Sequence, residues 1–143
     1  MVTRRSSAVW EGDLKGGKGT MSLGSGVFQG NYSFASRFES GTGTNPEELI
    51  GAAHAGCFSM ALAGELAKAG YEPKRISTTA KVSLGEVEGG SAITEIHLET
   101  IAVVPDIDEA TFMEHAQGAK NGCPVSKALE GVEIFLDAEV RNA

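Results

Sequence analysis

Residues 44–70 read TNPEELIGAAHAGCFSMALAGELAKAG, and this stretch predicts one long helix. Asn45 can cap the first turn, Pro46 suits the first helical position, and Glu48 stands where a capping box places its acid. Gly70 is a typical stop signal. A helix of about two dozen residues rises about 36 Å, which is close to the width of a small domain.

The middle of this helix lacks a polar face. Residues 49–64 are apolar or small on every side, and a helix without a polar face must be buried all round. A chain of 143 residues can hardly surround it alone. Its glycines and alanines would also let a second helix approach closely. The sequence therefore predicts a homodimer in which a partner subunit supplies the second wall.

Short β-favouring segments precede the helix. Residues 7–11, 19–23 and 32–38 predict a small antiparallel meander with glycine-containing turns. The glycine-rich segment 11–19 comes close to a phosphate-binding loop, but Gly19 stands where that loop needs a Ser or Thr. A hairpin turn is the better interpretation.

The segments after the helix alternate between apolar and polar residues. Residues 76–84 and 92–103 predict a hairpin, with a turn at 85–90 and a β-bulge near Thr100 where the apolar residues change face.

Two helices are then expected, at about residues 109–121 and 124–129, before a last strand of antiparallel type at 132–140. The order of elements predicts an α+β fold: an antiparallel sheet with a long buried central helix, in a single domain over residues 1–143.

Composition excludes several classes of function. The chain has 12 basic and 19 acidic residues and a net charge of −7, so it is not a phosphate-binding polycation, and no nucleic-acid partner is expected. The longest uncharged stretch, residues 49–64, is shorter than the roughly 20 apolar residues of a membrane span, so no membrane segment is predicted. Arg4 and Arg5 precede no apolar segment, which argues against a secretory signal and favours a cytoplasmic location.

Only two cysteines occur, too few for a disulfide scaffold, and such a pair in a reducing compartment favours chemistry. Cys57 lies in the middle of the helix, where a cysteine is either a buried inert side chain or a reactive one. Cys123 directly precedes Pro124 and should cap a helix, where backbone N–H groups lower a thiol pKa. On these grounds alone Cys123 is the more reactive thiol.

Histidines and acids offer further candidates. His54 precedes Cys57 by three positions, so it is either a Cys–His partner or a satisfied core histidine. His97 and His115 form no ligand spacing with the cysteines, so neither a metal nor another cofactor is predicted.

The acids at the helix start offer a partner for an arginine. Glu47 or Glu48 is free to pair with Arg37, and an Arg–Glu pair beside a thiol would stabilise a thiolate and polarise a peroxide oxygen.

Several sequence motifs resemble those of a known protein family. Residues 37–39 (RFE), 43–62 (GTNPEELIGAAHAGCFSMAL) and 119–126 (AKNGCPVS), with Trp10-Glu11-Gly12, closely resemble the osmotically inducible protein C (OsmC) family of bacterial peroxidases. Arg37, shortly before the long helix, matches the OsmC branch rather than the related organic hydroperoxide resistance branch.

The resemblance implies a role for each candidate residue. Cys57 would attack the terminal oxygen of an organic hydroperoxide and become a sulfenic acid, which Cys123 would resolve as a disulfide. Arg37 would hold the Cys57 thiolate, and Glu47, with Glu48 as the alternative, would orient Arg37. This assignment reverses the order of reactivity that the helix-cap argument gives the two cysteines.

The resemblance further implies an intertwined homodimer with its sites at the subunit interface. It implies a dithiol reductant, such as protein-bound lipoyl groups, that returns both cysteines to the thiol state. A role in oxidative and osmotic stress is also expected.

Two other functions stay open on the residues alone. A Cys57–His54 pair could carry out hydrolysis or acyl transfer, and a dimeric binding module could hold both cysteines as inert buried residues.

Overall fold

The computed structural model describes residues 1–142 and divides the chain into two compact units, Met1–Leu49 and a second that begins at Ile50. That the whole chain is a single domain stays a prediction.

A three-stranded antiparallel sheet forms the first unit. Its strands are β1 (Ser6–Glu11), β2 (Lys18–Leu23) and β3 (Gln29–Tyr32), in the order β1-β2-β3. The predicted meander is therefore confirmed. Glu11 pairs with Lys18, so the glycine-rich segment between them closes a hairpin as expected.

The third predicted strand, residues 32–38, is wrong over most of its length, because a short helix, α1 (Phe34–Phe38), replaces it. Ser33 caps this helix: its Oγ accepts from the Ser36 N–H at 3.1 Å, and Ser36 Oγ accepts from the Ser33 N–H at 2.9 Å. This reciprocal capping box satisfies backbone donors that a strand would pair differently.

The long helix, α2 (Pro46–Lys68), is confirmed with nearly the expected bounds. Asn45 Oδ1 accepts from the Glu48 N–H at 2.8 Å and caps it. The Glu48 carboxylate, however, accepts from the Thr44 hydroxyl at 2.6 Å. The cap is therefore an asparagine cap, and the expected capping-box role of Glu48 is wrong because the nearer hydroxyl takes the carboxylate.

Only one side of α2 is covered within the chain. His54, Phe58, Leu62 and Leu66 are fully buried, whereas the apolar side chain of Met60 is 79% exposed. The expectation of burial all round is therefore not met by the chain alone. Met60 shares its helix face with three exposed small residues, Ala52, Gly56 and Gly64. A partner subunit on this face stays a prediction.

By length and composition alone, α2 could cross a bilayer. Core helices of soluble proteins often pass the same test, so the expectation that the chain lacks a membrane segment stays a prediction.

The second unit contains another three-stranded sheet, of β4 (Arg75–Val87), β5 (Gly90–Val103) and β6 (Glu133–Arg141), in the order β4-β5-β6. Helices α3 (Glu109–Gly122) and α4 (Pro124–Ala128) connect β5 to β6 and confirm the two helices expected there.

The predicted antiparallel type of the last strand is wrong, because β6 runs parallel to β5. The crossover through α3 and α4 brings the chain back in the original direction. The alternating sequence of β6 reflects a sheet with one exposed face, and such alternation does not report strand direction.

The predicted turn and bulge of the β4–β5 hairpin are also corrected. Strand β4 continues to Val87, which pairs with Gly90, so the turn is shorter than residues 85–90. The register shift falls between Ser83 and Leu84 instead of near Thr100.

Thr100 keeps its place on the inner face because its hydroxyl is satisfied. It donates to the Ser77 carbonyl at 3.1 Å and lies 2.9 Å from the Thr78 hydroxyl. Hydrogen bonds of this kind let a polar residue remain buried. The neighbouring Ile101 is therefore the exposed residue, and no change of face occurs here.

The core of the second unit lies between α2, the inner face of β5 and α3. Its fully buried large side chains are apolar with the exception of His54; they are Phe58, Phe112, Leu62, Leu66, Ile96, Leu98, His54, Val104 and Cys123.

Candidate thiol site

The fold brings the two cysteines together, although they are distant in sequence. Cys57 lies half-buried in α2, and Cys123 lies fully buried between α3 and α4. The Val125 N–H donates to Cys57 Sγ at 3.5 Å, and Cys123 lies close enough to raise the pKa of the Cys57 thiol. Both thiols are free, so they are placed for mutual reaction.

Cys123 caps α4, as its position before Pro124 predicts. Its Sγ accepts from the Ser126 N–H at 3.4 Å and donates to Ser126 Oγ at 3.2 Å. Its own N–H donates to the Ala119 carbonyl at 3.0 Å, which ends α3. The helix junction thus fixes the direction of this thiol.

Burial raises the pKa of the Cys57 thiol, because desolvation disfavours the thiolate. The Val125 N–H opposes this rise, whereas the nearby Cys123 side chain adds to it. These contacts alone therefore hold Cys57 in its neutral form, and a thiolate there needs stabilisation by a positive charge.

His54 is fully buried on the same side of α2. Its Nε2 lies 2.8 Å from Ser126 Oγ, and burial lowers its pKa, so the ring is neutral at pH 7. Among the hydrogen bonds of residues 1–142, His54 has its partner in Ser126 and not in Cys57. Ser126 was not a candidate from the sequence, because 72 positions separate it from His54 and no spacing signal links them.

Arg37 and Glu47 form a two-point ion pair within the first unit. Arg37 Nε donates to Glu47 Oε1 at 3.0 Å, and a terminal guanidinium nitrogen donates to Oε2 at 2.8 Å. The Glu47 side chain is 9% exposed and that of Arg37 is 36% exposed. Glu48 takes no part, since its carboxylate is held by Thr44. Such a paired geometry fixes the plane of the guanidinium.

An aromatic cavity of about 210 Å³ adjoins this arginine. Ser33 and Arg37 form part of its wall. The remaining wall residues are aromatic or aliphatic: Trp10, Leu14, Tyr32, Phe34 and Phe38. The guanidinium carbon lies 5.4 Å from the centre of the Phe38 ring, a cation–π distance.

Over residues 1–142, no group of three or more His, Cys, Asp and Glu side chains is arranged to hold a metal ion. The four predicted site residues thus fall into two pairs, Cys57 with Cys123 in the second unit and Arg37 with Glu47 in the first.

A small α+β protein that holds two free thiols close together, beside a helix cap, has the features of a thiol redox protein. Comparison with known proteins identifies the family to which the chain belongs. The OsmC-like protein family model matches residues 39–137, and the chain belongs to the OsmC family.

Relatives by sequence agree with this assignment. The chain is 54% identical to peroxiredoxin OsmC of Escherichia coli strain K12 over 99% of both chains. It is 34% identical to an organic hydroperoxide resistance protein of Xanthomonas axonopodis pv. citri over 67% of both chains.

Among solved structures, the organic hydroperoxide resistance protein OhrB of Bacillus subtilis has a similar fold, with a TM-score of 0.68, 26% identity and coverage of 96% of this chain and 98% of that chain. The predicted α+β class is therefore confirmed.

Proposed function

We propose that this protein is a thiol-dependent peroxidase that reduces organic hydroperoxides to alcohols. Its relatives carry the names peroxiredoxin and organic hydroperoxide resistance protein, which support a peroxidase-type redox function. The observation that carries the cysteine mechanism is the closeness of Cys57 and Cys123, two free thiols from distant parts of the chain, which the bond from the Val125 N–H to Cys57 Sγ holds on the same side of the helix junction.

The first step is an attack of the Cys57 thiolate on the terminal oxygen of the hydroperoxide. The O–O bond breaks, the alkoxide takes a proton and leaves as the alcohol, and Cys57 becomes a sulfenic acid. Cys57 is the attacking thiol because it is half-buried and so more accessible to a substrate, whereas Cys123 is fully buried.

Arg37 supplies the positive charge that the Cys57 thiolate needs. Because burial raises the pKa of Cys57, a guanidinium is required to favour the charged form. Glu47 orients Arg37 through the two hydrogen bonds between them. The same cation polarises the peroxide in the transition state, where charge develops on oxygen.

The second step is resolution by Cys123. Its sulfur attacks the sulfenic sulfur, a disulfide forms, and the oxygen leaves as water. A dithiol reductant, such as a protein-bound lipoyl group, then reduces the disulfide by exchange and is itself oxidised to a disulfide. No other cofactor takes part in this cycle.

The aromatic cavity beside Arg37 supports an organic substrate. An alkyl or aryl group gains free energy when it leaves water for an apolar wall, and hydrogen peroxide has no such group. The enzyme is therefore expected to prefer organic hydroperoxides.

The proposal includes an intertwined homodimer in the cytoplasm. The exposed apolar face of α2 around Met60 supports a partner subunit, because monomeric soluble proteins seldom leave such a surface open.

The test measures the consumption of cumene hydroperoxide and of hydrogen peroxide, each with dihydrolipoamide as the reductant. We expect faster turnover of cumene hydroperoxide and a complete dependence on the dithiol. Equal rates for the two peroxides contradict the assigned substrate class. An absence of turnover with either contradicts the proposed function, and a hydrolase or a binding module then has to be considered.

A further inference from the structure

The hydrogen bonds around Cys123 form one continuous chain that the proposed cycle does not use. Cys123 Sγ donates to Ser126 Oγ at 3.2 Å, and Ser126 Oγ lies 2.8 Å from His54 Nε2. The three side chains come from α2, the helix junction and α4, and each is at most 4% exposed. This arrangement connects a thiol to an imidazole through one hydroxyl.

The burial of Cys123 creates a chemical requirement. A thiol must lose its proton as it attacks a sulfenic acid, and the fully buried Cys123 lacks direct access to water. Among the hydrogen bonds of residues 1–142, the acceptor for the Cys123 S–H is Ser126 Oγ. A hydroxyl can take that proton only if it passes its own proton on. His54 Nε2 is the group within reach.

His54 has the properties of a proton acceptor rather than those of a structural filler. Its Nδ1 is the one buried side-chain nitrogen or oxygen atom without a hydrogen-bond partner in the described part of the chain. An unpaired buried nitrogen costs free energy that an apolar side chain in the same place would not. If Nδ1 carries the proton of the neutral ring, Nε2 is the basic atom, and it faces Ser126.

We propose that Ser126 and His54 form a proton relay that activates Cys123 for resolution. Ser126 is a catalytic residue in this step because it contacts the attacking sulfur, and His54 is a positioning and accepting residue that acts through Ser126. The inference rests on the proposed peroxidase function, since it concerns the second step of that cycle.

The step balances without an outside reagent. The Cys123 S–H bond breaks and its proton moves to Ser126 Oγ, while the hydroxyl proton of Ser126 moves to His54 Nε2. The Cys123 sulfur forms a bond to the Cys57 sulfur, and the S–O bond of the sulfenic acid breaks. The departing hydroxide takes the relayed proton back and leaves as water, so the products are a disulfide and water.

The surroundings of His54 favour its neutral ring, which is the form that can accept a proton. Burial lowers the pKa of His54, and no charged neighbour contributes to this shift. The titratable groups on its own helix are Glu47, Glu48, Cys57, Glu65 and Lys68, and Cys123 lies at the helix cap. Ser126 also lines a surface cavity whose charged residues are Lys120, Lys127 and Glu130. His54 is therefore mostly neutral at pH 6.5 and above.

The test separates sulfenic acid formation from disulfide formation in a single turnover. Reduced wild type, Ser126→Ala and His54→Gln are mixed with cumene hydroperoxide, quenched with an alkylating agent at successive times, and analysed by intact mass. Ser59→Ala is the matched control, because it removes a core hydroxyl of α2 that binds Thr78 at 2.8 Å, away from this chain of contacts. Thermal unfolding confirms that each variant is folded.

We expect unchanged sulfenic acid formation in both relay variants and a disulfide step about a hundredfold slower near pH 6.5, the lower end of the scale of general base catalysis. Wild-type resolution should vary little from about pH 6.5 to about pH 8, because the relay accepts the proton throughout. In the variants the rate should follow the thiolate fraction and fall about tenfold for each pH unit on the acidic side. Ser126→Thr, which keeps the hydroxyl, should retain the wild-type profile.

Two results overturn the relay: a folded variant with normal disulfide formation, or a variant slowed equally at every pH, which indicates a structural role. If one variant does not fold, the other still tests the relay, since loss of either member breaks it. Failure of the wild type to form any sulfenic acid is a different result, which overturns the proposed function itself.

Discussion

The two pairs of predicted site residues, called here the charged half and the thiol half, are built in different ways. Arg37 is partly exposed, Glu47 lies ten positions further on and is buried, and two charged hydrogen bonds join them. The thiol cluster is largely buried, and its contacts span 68 positions from Cys57 to Val125 and 72 from His54 to Ser126. The charged half comes from local helix geometry, whereas the thiol half exists only after long-range packing.

This contrast divides the expected chemistry. The charged half should control how fast the peroxide is attacked, and it is exposed enough for salt to weaken it. The thiol half should control whether the oxidised sulfur is resolved, and it should respond to pH and packing. Variants in each half therefore have separable effects.

The largest expected effect is that of Cys57→Ser. In the proposed cycle this sulfur accepts the peroxide oxygen, so we expect turnover of cumene hydroperoxide to fall by at least about a thousandfold. Steady-state consumption with dihydrolipoamide measures it. A variant that keeps more than a tenth of the wild-type rate would contradict the assignment of Cys57 as the attacking thiol.

Arg37→Gln is expected to slow sulfenic acid formation by about a hundredfold, the scale of losing one preorganised charge contact in a transition state. Stopped-flow measurement of the first step at low and high salt gives the rate. The disulfide step should not change. An equal slowing of both steps would show that the two halves do not act separately.

Part of this picture follows from the sequence and part does not. The caps at Asn45 and Cys123 and the long helix could be predicted because helix ends depend on neighbouring residues. The direction of β6 could not, because it depends on a crossover through two helices. Phe34–Phe38 looked like a strand because its apolar residues outweighed the capping serines.

The candidate site shows the same division. The contact of Arg37 with one of two adjacent acids could be expected, although the choice of Glu47 over Glu48 depends on the Thr44 hydroxyl. The closeness of Cys57 and Cys123 was implied by family resemblance alone, since no spacing rule joins them. The His54–Ser126 contact had no signal in the sequence.

Glu47→Gln should have a smaller effect than loss of Arg37. It removes the charge that orients the guanidinium, and we expect sulfenic acid formation to slow by about tenfold, equivalent to about 1.4 kcal/mol from a charged hydrogen bond. Glu48→Gln is the matched control and should stay within about twofold, because Glu48 contacts Thr44 instead of Arg37. Equal effects of the two substitutions would contradict the assigned role of Glu47.

The smallest effect concerns stability and isolates the buried half. Burial lowers the pKa of His54 from 6.5, so below about pH 6.5 the unfolded chain binds a proton that the folded chain does not. The free energy of unfolding should therefore decline as the pH falls through this value. Chemical denaturation across this range should show a smaller decline in His54→Gln. The same slope in both proteins would show that His54 is not the source of the decline in the free energy of unfolding.

The central claim is that Cys57 attacks and Cys123 resolves, and intact mass tests it most directly. Reduced protein receives one equivalent of cumene hydroperoxide, and remaining thiols are trapped with an alkylating agent. The wild type should lose two hydrogens and take up no alkyl group, while Cys123→Ser should gain one oxygen at Cys57. An unmodified protein whose two thiols both alkylate would contradict the account.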